Sequence, residues 1–237
     1  MNTVELIYTK LYSRYGPQNW WPVTYDKNIF PTYAGGPINH KQQLEVIYGA
    51  ILTQNTTWAN VEKAVINLNK YNLINPNKIS KIRPQKLAAL IRPVGYFNQK
   101  VQKLKIFSNY LLKHYDGNLK KMFKKEAKEL RQELLSIKGI GPETADSIIL
   151  YAANQPSFVI DAYTKRIFYR LGIINNGIKD YDKLQRYFHK NLKGAEKQKT
   201  KVFNEYHALI VEHGKKICRK NPLCSSCVLE SVCKKRL

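Results

Sequence analysis

The stretch "IKGIGPETAD", Ile137 to Asp146, decides how this chain reads. Gly139 and Gly141 stand two apart, and Pro142 follows directly. The flanking segments, "EAKELRQELLS" and "TADSIILYAA", both carry helical periodicity. Glycine costs a helix interior roughly 1 kcal/mol relative to alanine, so the pair marks a tight turn between two helices. Such a turn exposes consecutive backbone N–H groups where the second helix starts, a geometry that holds an anion such as a phosphate. Lys138 adds a positive charge beside it. Turns between helices often contain glycine, so a second observation is needed to point to nucleic acid.

Charge supplies that observation. The 237 residues carry 40 Lys and Arg against 17 Asp and Glu, a formal net charge of +23. An anionic partner is expected, most simply nucleic acid, because cations that neutralise phosphates release counterions. The plainer alternative is a basic, solvated surface. Hydrophobic residues make up 43% of the chain, too many for a disordered polymer. No run of about 18 apolar residues occurs, so no transmembrane helix and no membrane partner are expected. The opening "MNTVELIYTKLYSRYG" reads as an amphipathic helix, not as the basic-then-apolar order of a signal peptide, so an intracellular location is expected.

Helical periodicity dominates the rest. "LEVIYGAILTQ" is apolar nearly all round and reads as a buried helix. "TWANVEKAVINLNKY" puts Trp58, Val61, Val65 and Leu68 on one face. "NQKVQKLKIFSNYLLKHYDG" is a further amphipathic helix, closed by Asp116-Gly117. "AYTKRIFYRLG", "DKLQRYFHKNL" and "KVFNEYHALIVEHGKKI" are three more. Pro17 to Asn39 is the one long irregular segment, rich in aromatics, Pro and Gly. Loops of that length are often functional, although a surface loop packed on its own aromatics would look the same.

Two further features can carry chemistry. Asp161 follows the apolar "SFVI" and opens a helix, 18 residues after Glu143. A helix N-cap, worth about 1 kcal/mol, would explain it without catalysis. The only four cysteines, Cys218, Cys224, Cys227 and Cys233, all lie in the last 20 residues, spaced Cys-x5-Cys-x2-Cys-x5-Cys. Four thiols in one short loop read as a metal site and not as a disulfide framework. His207 and His213, on the preceding helix, are assigned to packing.

These motifs together resemble a known family. "LLSIKGIGPETADSIILYA…FVIDAYTKRIFYRLG" is similar to the helix-hairpin-helix, Gly/Pro-rich loop and aspartate signature of the endonuclease III superfamily of DNA glycosylases. The resemblance runs along nearly the whole chain. It implies an all-α, two-lobed fold: a six-helix barrel over 37–153 ending in the hairpin, and a second lobe of 1–36 with 154–237 bearing the cysteine loop, 218–233. It implies double-stranded DNA with a damaged base as partner, bound by a monomer between the lobes. The base would be flipped toward Asp161, the implied catalytic residue. Gln54, in "ILTQNTTWANVEKA", matches an intercalating glutamine, and Tyr96 the second DNA wedge. Lys138, Gly139, Gly141, Lys215, Lys216 and Arg219 would contact phosphates. The four cysteines match a [4Fe–4S] site, with zinc as the alternative.

One departure from the family pattern bears on activity. Members that also cleave the strand carry a lysine where this chain has Glu143, and a glutamate forms no Schiff base. A monofunctional enzyme is implied, which removes the base and leaves an abasic site. "GPETAD" with "NWWP" most resembles the 3-methyladenine DNA glycosylase III branch, where Trp20, Trp21 and Pro22 would line a pocket for an alkylated purine. Leu44 stands at that branch's base-stacking position. Alternatives are a uracil, mismatched-thymine, hypoxanthine or oxidised-purine glycosylase, or a non-catalytic DNA-damage binding protein.

Overall fold

The computed structural model describes residues 2–25, 28–174, 180–192 and 196–236. Its helices are α1 (Thr3–Tyr15), α2 (His40–Leu52), α3 (Trp58–Lys70), α4 (Pro76–Lys81), α5 (Pro84–Leu90), α6 (Phe97–Tyr115), α7 (Leu119–Met122), α8 (Ala127–Ser136), α9 (Pro142–Ser147), α10 (Ala162–Arg170), α11 (Tyr181–Asn191) and α12 (Glu196–Lys216). Among the described residues the strands are two residues each, β1 (Val23–Thr24) and β2 (Pro31–Thr32), paired antiparallel with Val23 opposite Thr32. The chain is all-α, as its periodicity predicts. Among the described residues no helix is long and apolar enough to cross a membrane.

The chain divides into two compact units, Asn19–Gln155 and Met1–Gln18 with Pro156–Leu237. Residues 19–36 thus group with the middle of the chain, whereas the sequence boundary placed them with the termini. The reason is a set of tertiary contacts with α2. Glu45 of α2 is 2% exposed; its Oε1 accepts from the Thr24 amide at 2.8 Å and its Oε2 from Asn69 Nδ2 at 2.9 Å. Gln42 Nε2 donates to the Thr24 carbonyl at 3.1 Å. The indole of Trp21 lies 3.4 Å from where a Cβ on Gly49 would stand. Nothing in the periodicity of 19–36 announces these partners.

In the 19–155 unit, α2 is buried nearly all round and forms the centre. Val61, Val65 and Leu68 bury the inner face of α3. Helix α6 ends where Asp116 and then Gly117 turn left-handed, at φ 55° and 77°, the usual way of closing a helix. The hairpin is α8, a turn over residues 137–141, and α9, which widens into a π turn at Ile148–Ala152. Pro142 occupies the first turn of α9, where its missing N–H is no loss. Arg131 of α8 clamps Asp146 of α9 through Nε–Oδ1 at 2.9 Å and Nη2–Oδ2 at 3.2 Å, with Asp146 wholly buried.

In the other unit, Phe158, Phe168, Phe188, Phe203 and Tyr206 form an aromatic core, with Phe158 and Phe188 stacked at 4.0 Å. Residues 157–160 run buried and non-helical into α10. His189 accepts the Phe158 amide at 3.1 Å, which satisfies part of that buried backbone.

Removing one partner of a buried ion pair leaves the other charge uncompensated, at a cost of about 3–5 kcal/mol. Arg131→Met should lower unfolding stability by about that amount, measured by urea denaturation, whereas Lys121→Met at the exposed pair with Asp116 should change it little.

Candidate active site and nucleic-acid interface

Asp161 is the N-cap of α10 and only 8% exposed. Its Oδ1 accepts from the Thr164 amide at 2.7 Å and from the Thr164 hydroxyl at 2.8 Å. Its Oδ2 lies 3.6 Å from Nε2 of His207, a buried residue of α12. Burial alone pushes this carboxyl up. The nearby His207, with its charge when protonated, and the two hydrogen bonds from Thr164 outweigh it, so the pKa ends below the ordinary carboxylate value. The N-cap reading holds for Oδ1, which serves the helix, and Oδ2 is directed at a histidine. Sequence reasoning assigned His207 to packing and did not single out Thr164. The Asp-x-x-Thr spacing of an N-cap could have flagged Thr164; only the packing of α12 on α10 brings in His207.

Helix α10 also reaches the cysteine loop. Arg166 donates from Nε to the Cys218 carbonyl and from Nη2 to the Gly214 carbonyl, both at 2.9 Å. Arg170 lies 3.5 Å from Cys218 Sγ and bonds the carbonyls of Arg219 and Lys220. Cys218, Cys224, Cys227 and Cys233 line one small cavity together with Arg170, Ile217, Pro222 and Lys235. His213 donates or accepts at Tyr15 Oη at 2.9 Å, and its other ring nitrogen is 3.5 Å from Cys227 Sγ. Burial pushes His213 down to about 4, so the ring is neutral near neutral pH. Among the described residues, no group of three or more His, Cys, Asp or Glu side chains is arranged to hold a metal ion. Lys215, Lys216 and Arg219 are exposed, with Lys216 paired to Glu212.

The other unit carries the expected DNA-facing residues. Gly139 adopts φ 95°, and a Cβ there would come 2.7 Å from Cγ of Lys103. Nothing stands within 4 Å of a Cβ on Gly141, so the turn is open to solvent at that point. Lys138 and Glu143 are both exposed. Tyr96 holds a left-handed backbone at φ 43° with its side chain 69% exposed, a combination that costs energy and marks functional loops. Lys100, 2% exposed, donates from Nζ to the Val94 carbonyl at 2.9 Å, two residues before Tyr96. Burial, then the charge of Lys103, pushes its ammonium down to about 8.

The tryptophan pair is only partly accessible. Trp21 is 5% exposed and packs edge-on against Trp58 at 5.4 Å and Tyr151 at 5.1 Å. Trp20 is half-buried, between Tyr33 at 6.5 Å and Tyr151 at 6.2 Å. Pro22 is buried, and Leu44, expected at a base-stacking position, is 1% exposed and belongs to the core. Tyr151 and Trp58, which sequence reasoning did not assign to this cluster, join it through tertiary packing.

The profile of the HhH-GPD superfamily of base excision DNA repair proteins matches residues 48–193. The chain belongs to that superfamily. A protein of Methanocaldococcus jannaschii named as a DNA repair glycosylase is 46% identical over 238 residues, covering 98% of this chain and 97% of its own. Endonuclease III of Sulfolobus acidocaldarius is 29% identical, covering 79% of this chain and 80% of its own. Among solved HhH-GPD structures, the H. pylori 3-methyladenine DNA glycosylase bound to 1,N6-ethenoadenine aligns with a TM-score of 0.71 at 30% identity, over 91% of this chain and 98% of that one. A trapped endonuclease III–DNA covalent intermediate aligns at 0.75 over 99% and 97%, and at 19% identity it shares the fold.

A carboxylate whose folded pKa lies below its unfolded value of about 3.9 stabilises the folded state fully above that value and loses the contribution as pH falls through the folded pKa. Asp161 is such a group. Urea unfolding over about pH 5 to 3 should show a shallower loss of stability for Asp161→Asn than for the wild type.

Proposed function

We propose that this chain is a monofunctional DNA N-glycosylase that hydrolytically removes an alkylated purine, such as 3-methyladenine, from duplex DNA. The observation that carries this reading is Asp161: a buried, ionised carboxylate with one oxygen committed to Thr164 and the other facing His207. A carboxylate so held can orient or deprotonate a water and offset the positive charge that develops on the sugar as the glycosidic bond breaks. Glu143, exposed in the first turn of α9, stands where a lyase lysine would be needed, and its carboxylate cannot form a Schiff base. The base leaves and the strand stays whole.

The damaged nucleotide is extruded from the stack. Tyr96 enters the gap, and Lys138 with the open backbone at Gly141 grips phosphate; Lys215, Lys216 and Arg219 are further phosphate contacts. Support for an alkylated purine comes from the 30% identity to a 3-methyladenine glycosylase and from the half-buried ring of Trp20. An electron-rich indole stacks on a cationic, N-alkylated base, whose charge also makes it a better leaving group.

We read the cysteine loop as the site of a [4Fe–4S] cluster, although among the described residues its thiols are not drawn together as a metal-ligand group. The donor set is four thiols around a single cavity, and the guanidinium of Arg170 and the Lys235 amide lie within 3.5 Å of Cys218 Sγ and Cys233 Sγ, as suits ligand sulfurs that carry negative charge. Burial pushes the Cys227 thiol up. A cluster bound by these cysteines would brace the loop that presents Arg219 and Lys220.

Base release from a panel of defined lesion duplexes tests the activity. Alkylated purines should be released, and uracil, mismatched thymine, hypoxanthine and oxidised purines should not. Asp161→Asn should abolish release while DNA binding persists; excision by that variant, or a borohydride-trapped covalent adduct in the wild type, would contradict the reading. Elemental analysis of the purified protein should find iron and sulfide, lost on Cys227→Ser, and finding zinc instead would refute the cluster.

A further inference from the structure

Gln54 stands just past the end of α2, where the family resemblance implies a side chain that enters DNA. Its amide is nonetheless fully engaged within its own unit. Nε2 donates to the Gly139 carbonyl at 3.1 Å and to the Thr144 hydroxyl at 2.9 Å, and Oε1 accepts from Lys103 Nζ. The stem of Lys103, from α6, meanwhile covers Gly139, filling the space that a Cβ there would need. One lysine thus packs its methylenes against the hairpin turn and spends its charge on the glutamine that holds the same turn. Lys100, one helical turn earlier, ties α6 to the carbonyl of Val94. The first half of α6 is therefore bonded to the turn before Tyr96 and, through Gln54, to the hairpin.

We propose that Lys103 is a positioning residue: acting through Gln54, it holds the loop after α2 and the hairpin turn in the single arrangement that receives DNA. The role rests on DNA binding by the hairpin, as read above, and not on which base is removed. An ammonium free at the surface would serve as one more phosphate contact. Lys103 differs because its charge is given to an amide oxygen and its stem is wedged over a residue at φ 95°. Gln54 would have to break three hydrogen bonds to enter a DNA stack, which leaves exposed Tyr96 as the side chain available for that task.

A double-mutant cycle tests this. Affinity for a duplex bearing a stable abasic-site analogue is measured by fluorescence anisotropy over a series of salt concentrations. The proteins are wild type, Lys103→Met, Gln54→Ala and the double variant; methionine keeps a stem over Gly139. Each single variant should bind roughly tenfold more weakly, as expected for loss of a charge-assisted hydrogen bond. The double variant should bind no more weakly than either single one, and Lys103→Met should keep the wild-type salt slope, because no phosphate contact has been lost. Lys103→Arg, which restores a cationic donor, should recover most of the affinity. Unchanged binding by Lys103→Met, additive losses in the double variant, or a salt slope lowered by about one ion would each overturn the positioning role. Wild-type protein that does not bind the duplex would overturn the functional reading, and this role with it.

Discussion

The turn at Gly139 constrains everything around it. A backbone at φ 95° under the Lys103 stem admits no side chain, and the surrounding polar groups are arranged to hold that turn. Arg131 and Asp146 clamp the two helices that enter and leave it. Gln54 takes the carbonyl of Gly139 and the hydroxyl of Thr144. The Gln54 contacts reach across 85 and 90 residues, so the turn is held by the unit around it as well as by its own helices. The open side at Gly141 is the one face left to an outside partner, and a rigid backbone is what makes such a face useful for gripping a phosphate without reorganisation.

Asp161 shows how a helix cap fixes the direction of a whole carboxylate. The N-cap geometry turns one carboxylate oxygen to the amide of Thr164 and thereby aims the other. Burial favours the neutral acid, and the hydrogen bonds and histidine charge favour the anion; the second set prevails. The same helix, two turns on, presents Arg166 and Arg170 to the cysteine loop. Aspartate and loop are therefore positioned by one rigid rod, and a group bound at the cysteines would reinforce the element that carries the carboxylate.

Much of this was legible early. The helices over "LEVIYGAILTQ", "NQKVQKLKIF" and the hairpin segments lie where the periodicity placed them, because burying an apolar face requires that spacing. The four cysteines line one cavity because short gaps leave a loop little choice, but among the described residues they are not arranged as a metal-holding group. Less legible was the segment 19–36, whose assignment turns on Glu45, Gln42 and Gly49 of α2. Leu44 was read as facing a base and lies in the core; a helix that is apolar on every side gives no phase from which to tell its faces apart.

The sequence by itself determined the all-α class, the two glycines between the hairpin helices, and the charge that calls for an anionic partner. These are local or additive properties: periodicity, backbone freedom and net charge do not depend on what packs against what. Only the tertiary structure decided that His207 faces Asp161, that Tyr151 and Trp58 complete the cluster around Trp21, and that Gln54 is bonded to the hairpin while Lys103 holds Gln54. Those pairings set the state and direction of each side chain. They arise from close packing between helices distant in sequence, which no spacing along the chain encodes.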